Sequence, residues 1–125
     1  MRGGMMKYTV KGSLATLNEH DKANRSNKFL GAKLKREQTD LVAWQLKGKP
    51  KIENPCTIEF TWYYSGKYDF DNLCFGKKYL LDGMVKAGIL KDDNQKWVLG
   101  FDGEAFIKVA KGKDKVEMIV SEYEN

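Results

Sequence analysis

Cys56, Ile58, Phe60, Trp62 and Tyr64 alternate strictly with Thr57, Glu59, Thr61 and Tyr63. Side chains two apart in an extended chain share a face, so this run predicts a strand with one face in the core and the other turned outwards. A helical period of 3.6 residues would scatter those apolar side chains around the axis. Gly66 breaks the run, and the acidic segment Tyr68-Asp69-Phe70-Asp71-Asn72-Leu73 follows at once. The chain must therefore fold around a strand whose exit delivers carboxylates.

The remaining elements are arranged about that strand. Residues 1–5 read as a loose start and residues 7–12 as a short strand closed by Gly12. Leu17-Asn18-Glu19 opens a polar stretch. In residues 29–46, Leu30, Leu34, Leu41 and Trp44 share one helical stripe, and Gly48 and Pro50 end the helix. Residues 72–87 predict a second helix, with Leu73, Leu80 and Met84 as its buried stripe. Asp71 or Asn72 is its N-cap and Gly88 its C-terminal cap. Residues 96–100, 105–109 and 116–121 read as strands, the last two joined by the polar hairpin loop 111–115. This order predicts one α+β domain over residues 1–125, a small mixed or antiparallel sheet packed against two main helices.

The acidic segment stands out because the chain is otherwise basic, with a net charge of +5 and a sequence pI of about 9.1. That balance favours polyanionic partners. Cys56 and Cys74 lack paired spacing, which points to core-facing thiols in a reduced, cytoplasmic protein. Two cysteines and one histidine are too few for a zinc site. Neither a leader pattern nor a long apolar run is present, so export and a membrane span are not expected.

About twenty residues after the first acidic segment comes Lys91-Asp92-Asp93-Asn94. Two carboxylates spaced two apart, joined by a third from a distant loop, suit a hard divalent cation such as Mg²⁺. Each segment alone is equally a turn with a cap. An EF-hand is excluded, because Leu73, Cys74 and Leu80 occupy positions that need an oxygen ligand, glycine and glutamate. On an unbroken helix Asp71, Lys78 and Asp82 lie within about 40° of one another, whereas Lys77 points about 120° away from Asp71, towards the apolar stripe. Lys78 either pairs with Asp82 at i,i+4 or steadies phosphate charge.

From Lys22 through Arg36 no acidic residue occurs. Arg25, Asn27, Lys28, Lys33, Lys35 and Arg36 are therefore candidate contacts to a phosphate backbone, or else the solvated face of a helix. His20, the only histidine, has no accompanying nucleophile motif and reads as a surface residue.

The order Asp69-Phe70-Asp71-Asn72-Leu73, a lysine, Asp82, Gly88 and Asp92-Asp93 resembles the RusA-type Holliday junction resolvases, often carried by phages. Leu17-Asn18-Glu19, Arg25 to Phe29 and Phe60 to Tyr64 extend the resemblance over nearly the whole chain. It implies a RusA-like fold and a Mg²⁺-dependent endodeoxyribonuclease, with Mn²⁺ as a substitute. Such an enzyme works as a homodimer on four-way branched DNA in recombination and repair, in the nucleoid of a bacterial or phage-infected cell. By the match, Asp69, Asp71 and Asp93 are the metal-binding and catalytic acids, with Asp92 the adjacent acid. The family's lysine falls one turn after the second aspartate. Phe75 stands there in this chain, and the lysines arrive later as Lys77-Lys78. Counting back four from Asp82 selects Lys78 as the catalytic lysine. Two other readings are a structure-selective DNA-binding protein without effective cleavage and a metal-dependent hydrolase of small phosphates.

Overall fold

The computed structural model describes residues 2–124. In chain order they form β1 (Arg2–Lys11), α1 (Leu17–Ser26), α2 (Lys28–Leu46), β2 (Cys56–Tyr64), the short α3 (Phe70–Leu73), a 3-10 turn (Cys74–Gly76), α4 (Lys77–Lys86), β3 (Val98–Lys108) and β4 (Lys115–Tyr123). The four strands make one sheet in the order β1-β4-β2-β3. β4 is antiparallel to both neighbours, whereas β2 and β3 run parallel. The architecture is α+β with a mixed sheet, as the sequence predicts. Among the described residues no helix is long and apolar enough to cross a membrane.

The alternation in β2 sets the core. Cys56, Ile58, Phe60 and Trp62 are all buried. Register places Ile58 opposite Val120, Phe60 opposite Met118 and Trp62 opposite Val116, and β1 adds Tyr8 and Val10 to the same face. Val42 and Leu46 of α2 and Tyr79, Leu80 and Met84 of α4 join this cluster. Trp62, the largest fully buried side chain, keeps its indole N–H satisfied by donating to Glu104 at 2.7 Å. The helices α2 and α4 approach closely at Gly83, where an added Cβ would lie 2.4 Å from Cγ1 of Val42.

The opposite face of the sheet is tied by polar side chains. Glu117 on β4 meets Lys7 of β1 at 2.5 Å and accepts from the Tyr63 hydroxyl of β2 at 2.5 Å. These bonds, Lys7 first and Tyr63 next, hold the Glu117 carboxyl below the usual carboxylate range.

Several local readings change. β1 begins at Arg2, because its early residues pair with the end of β4; only residue 1 of the expected loose start lies outside the described residues. The polar stretch after Leu17 is a helix with a capping box: the Glu19 N–H donates to Thr16 Oγ1 at 3.3 Å, and the Thr16 N–H donates to Glu19 Oε1 at 3.3 Å. In α2 the buried positions are Gly31, Val42 and Leu46, with Leu34 partly buried. Leu30, Leu41 and Trp44 remain exposed, Trp44 at 76%. The helix carries two apolar stripes, and the other one is covered, Val42 by Gly83 of α4 and Gly31 by Asn24 of α1.

The predicted helix over 72–87 is interrupted by the 3-10 turn, where Gly76 packs under Leu14 and Trp62. Its end is as expected. Gly88 has φ +81°, its N–H donates to the Val85 carbonyl, and the Ile89 N–H donates to the Met84 carbonyl, a Schellman cap. The strands expected over 96–100 and 105–109 are parts of the single strand β3, which starts at Val98 and ends at Lys108, and the 111–115 loop closes no hairpin. β2 lies between β3 and β4, so the linker crosses the end of β2, where the Val109 N–H donates to the Tyr64 carbonyl at 2.8 Å.

Two stability outcomes follow from this packing. Gly83→Ala is expected to lower stability by about 1–2 kcal/mol in denaturant unfolding, because the stiff Val42 side chain outweighs a helix-propensity gain of about 1 kcal/mol. Glu117 is depressed in the folded state, so its contribution is present above the unfolded pKa of about 4.3 and is lost as pH falls through the folded value. Glu117→Gln is expected to cost about 1 kcal/mol at pH 7 and nothing in acid, read as urea midpoints across pH.

Candidate functional site

The chain leaves β2 at Tyr64 and turns through residues 65–69 into α3. Asp69 occupies the N-cap position of α3 with extended backbone, yet its carboxylate makes no capping hydrogen bond. Asp71 sits in the first turn of α3, two places after the cap. Neither Asp71 nor Asn72 is the cap that the sequence suggests, because the helix starts earlier. Asn72 instead accepts from the Asn18 N–H at 2.8 Å, which ties the start of α1 to α3. Asp69 and Asp71 are both exposed.

Asp69 and Asn72 line an open cleft of about 450 Å³ together with Asn18, Tyr64, Lys67 and Lys108. Lys108 donates to the Gly66 carbonyl and lies 5.1 Å from the centre of the Tyr64 ring. The cleft thus sets one carboxylate between two lysine side chains, an arrangement that suits a phosphate ester better than an apolar ligand.

The two lysines that open α4 have different fates. Lys77 donates to Glu104 at 3.1 Å and rests 5.6 Å from the Phe60 ring and 5.1 Å from the Phe101 ring. It fastens α4 to the sheet on the apolar side, as its helical phase predicts. Lys78 is exposed and has no ion pair among the described residues. The ion-pair partner of Asp82 is Lys35 of α2 at 3.9 Å rather than Lys78.

Asp93, in the loop after α4, meets Asp82. Its carboxyl is raised above the ordinary range by slight desolvation, then by hydrogen bonds with the carboxyls of Asp92 and Asp82 and by the charge of Asp82. Asp93 stays exposed to solvent, so its acidic neighbours are the distinctive part of this environment. Asp92 accepts from the Asp93 N–H at 2.8 Å and from Asn94 Nδ2 at 3.2 Å, which makes the acidic turn.

Asp93 therefore converges with Asp82. Among the described residues no group of three or more His, Cys, Asp or Glu side chains is placed to hold a metal ion.

The basic segment forms the elbow between α1 and α2. Asn27 ends α1 and caps α2, its side chain accepting from the Phe29 N–H at 2.8 Å. Arg25 Nε donates to the Asp21 carbonyl at 3.4 Å. Lys33 pairs with Glu37 at 3.8 Å and Lys35 with Asp82, whereas Lys28 and Arg36 are exposed without ion pairs among the described residues. His20 is half-buried at the surface, close to Tyr79 and Asn24 and 5.1 Å from the Phe75 ring.

Cys56 is buried and Cys74 half-buried, both as free thiols; burial, then the charge of Glu122, pushes the Cys56 thiol up to about 11. Sequence reasoning passed over Lys108, Lys111, Lys113 and Lys115. The alternation Lys111-Gly112-Lys113-Asp114-Lys115 was the available signal, but it reads as hairpin polarity until β2 is known to intervene.

Because Asp93 binds its proton more tightly when folded, its stabilising contribution is full below the unfolded carboxylate pKa and is lost as pH rises through the folded one. Asp93→Asn is therefore expected to melt about 1–2 °C above the parent at pH 7 and to match it near pH 3, by differential scanning fluorimetry.

No protein-family model matches the chain, and no curated protein matches it.

Proposed function

We propose that this chain is a divalent-metal-dependent endodeoxyribonuclease that cuts branched DNA, a resolvase of the RusA type acting as a homodimer. The observation that carries the reading is the uncommitted carboxylate of Asp69, free of any capping role and set in a cleft beside Lys67 and Lys108. The order of acidic motifs that resembles the resolvases supports it, as does the basic balance of the chain.

The donor chemistry fits a hard cation at one place. Asp93 and Asp82 bring two carboxyls together, and Mg²⁺ takes one or two carboxylates while keeping waters and substrate phosphate oxygens. In this reading Asp93 and Asp82 would hold Mg²⁺ or Mn²⁺, and Asp69 and Asp71 are further catalytic acids. A bound ion supplies a water of lowered pKa and spreads phosphate charge. Lys78, exposed on α4, offers an ammonium to a phosphate oxygen. Arg25, Lys28 and Arg36 hold backbone phosphates near the α1–α2 elbow, where arginine grips in two places and lysine acts as a point charge. Two cuts related by symmetry need two related sites, which a twofold dimer provides.

A second reading, a structure-selective DNA binder without effective cleavage, is favoured by Phe75, which stands where the resolvases' lysine falls. A synthetic four-way junction incubated with Mg²⁺ separates the two. The nuclease reading expects paired nicks, with Asp71→Asn slowing them about 10²-fold or more while binding persists. Tight binding with no nicking in Mg²⁺ or Mn²⁺ would establish the binder instead.

A further inference from the structure

β1 and β2 finish, and β4 begins, at one end of the sheet, which carries an open cleft of about 800 Å³. Lys11, Lys111, Lys113 and Lys115 line it, and none of them has an ion pair among the described residues. The one carboxylate in its lining is Asp114. That group is already engaged: its oxygens accept from the Ser13 hydroxyl at 2.8 Å, the Ser65 hydroxyl at 2.6 Å and the Ser65 N–H at 3.2 Å. The cleft therefore offers four lysines against one internally bonded acid. Tyr63 gives it an aromatic wall, with Lys115 Nζ 4.8 Å from the ring centre.

This cleft and the one that holds Asp69 both border a third, small cavity of about 20 Å³, which shares Ser13, Tyr63 and Lys115 with the first and Tyr64 and Tyr68 with the second. Two lysine–tyrosine pairs flank the end of β2, Lys115 on Tyr63 at one face of the sheet and Lys108 on Tyr64 at the other, the latter lining the cleft with Asp69.

We propose that this lysine–tyrosine track binds the sugar-phosphate backbone of a DNA strand and leads it to the Asp69 cleft. Spaced cations with interleaved aromatic rings match a chain of phosphates and unstacked bases. A single small anion would instead need donors converging on one enclosed point, and this cleft is wide and its cations are dispersed. The inference rests on the DNA-directed reading above and adds a path separate from the α1–α2 elbow.

The test is equilibrium binding without divalent metal, by fluorescence anisotropy, to a labelled single-stranded oligonucleotide of about twenty nucleotides and to its duplex. Lys111→Glu with Lys113→Glu reverses two exposed charges outside any strand or helix. The double variant is expected to bind single strands at least tenfold more weakly, with the slope of log affinity against log salt shallower by about 1.4. The milder pair Lys111→Gln with Lys113→Gln, expected to lose about half as much on a log scale, serves if the reversal perturbs folding.

Lys49→Glu with Lys51→Glu is the charge-matched control. Its loop precedes Glu53 and Asn54, whose N–H groups bond Glu122 towards the opposite end of β4. This control is expected to stay within about twofold of the parent. Equal losses from both pairs, or an unchanged slope for the 111/113 variants, would overturn the track, as would parent protein that binds inorganic phosphate but no oligonucleotide. The junction assay is read separately. Nicking by parent protein with unaltered binding by the double variant removes the track and leaves the nuclease, and the reverse result removes the nuclease alone.

Discussion

The carboxylate of Asp114 joins three separate chain segments at one end of the sheet. Ser13 follows β1, Ser65 follows β2 and Asp114 itself precedes β4, and the hydrogen bonds among them fix where each strand ends. The Gly12 N–H adds a bond to the Asp114 carbonyl at 2.9 Å. Burial opposes ionisation of this carboxyl, but the bonds from Ser65 and Ser13 outweigh it and hold it below the usual range. An ionised acceptor with three donors is a strong local tie. Both the lysine cleft and the turn that leads to Asp69 start from this point, so the polar geometry of that end depends on it.

Away from that end, the sheet divides cations into two kinds. Lys77 and Lys7 are structural, each against a glutamate on the sheet. Glu104 serves Lys77 and the buried Trp62 indole together, so one carboxylate settles the α4 start and the core. Lys28, Lys78, Lys111 and Lys113 have no such partner among the described residues and stay exposed. The net positive charge is therefore spread unevenly in its availability: part of it neutralises internal carboxylates, and the remainder faces solvent at the α1–α2 elbow, on α4 and around the β3–β4 linker.

How far the fold was legible varies with the range of the interaction. The β2 alternation, the α4 stripe of Leu80 and Met84 and the Gly88 cap were readable, because each depends on neighbours a few residues away. The capping box at Thr16 and Glu19 was equally local, and the polarity of the stretch obscured it. The face of α2 was not legible. Leu30, Leu41 and Trp44 form as good a stripe as Gly31, Val42 and Leu46, and the latter is selected by distant partners, Gly83 of α4 against Val42 and Asn24 of α1 against Gly31. Within the candidate site, Asp69, Asp71 and Asp93 were visible as an acidic pattern, and the different phases of Lys77 and Lys78, about 100° apart, followed from helical geometry. The Asp82–Asp93 meeting was not visible, since it joins a helix to a loop whose course no periodicity describes.

By itself the sequence determined that a half-buried strand ends in an acidic turn, that helices cover one face of the sheet, and that cations outnumber acids. These are properties of spacing and composition, and spacing acts through bonds along the chain. Only the tertiary structure decided that β2 lies between β3 and β4, with β3 parallel to it. That placement turned an apparent hairpin loop into a lysine-bearing crossing beside Ser65 and Tyr63. It also set Asp93 against Asp82 rather than against Asp71. The physical reason is that strand order and carboxylate convergence come from burial shared among segments far apart in sequence, and the sheet satisfies its hydrogen bonds equally well in several orders until the core side chains choose one.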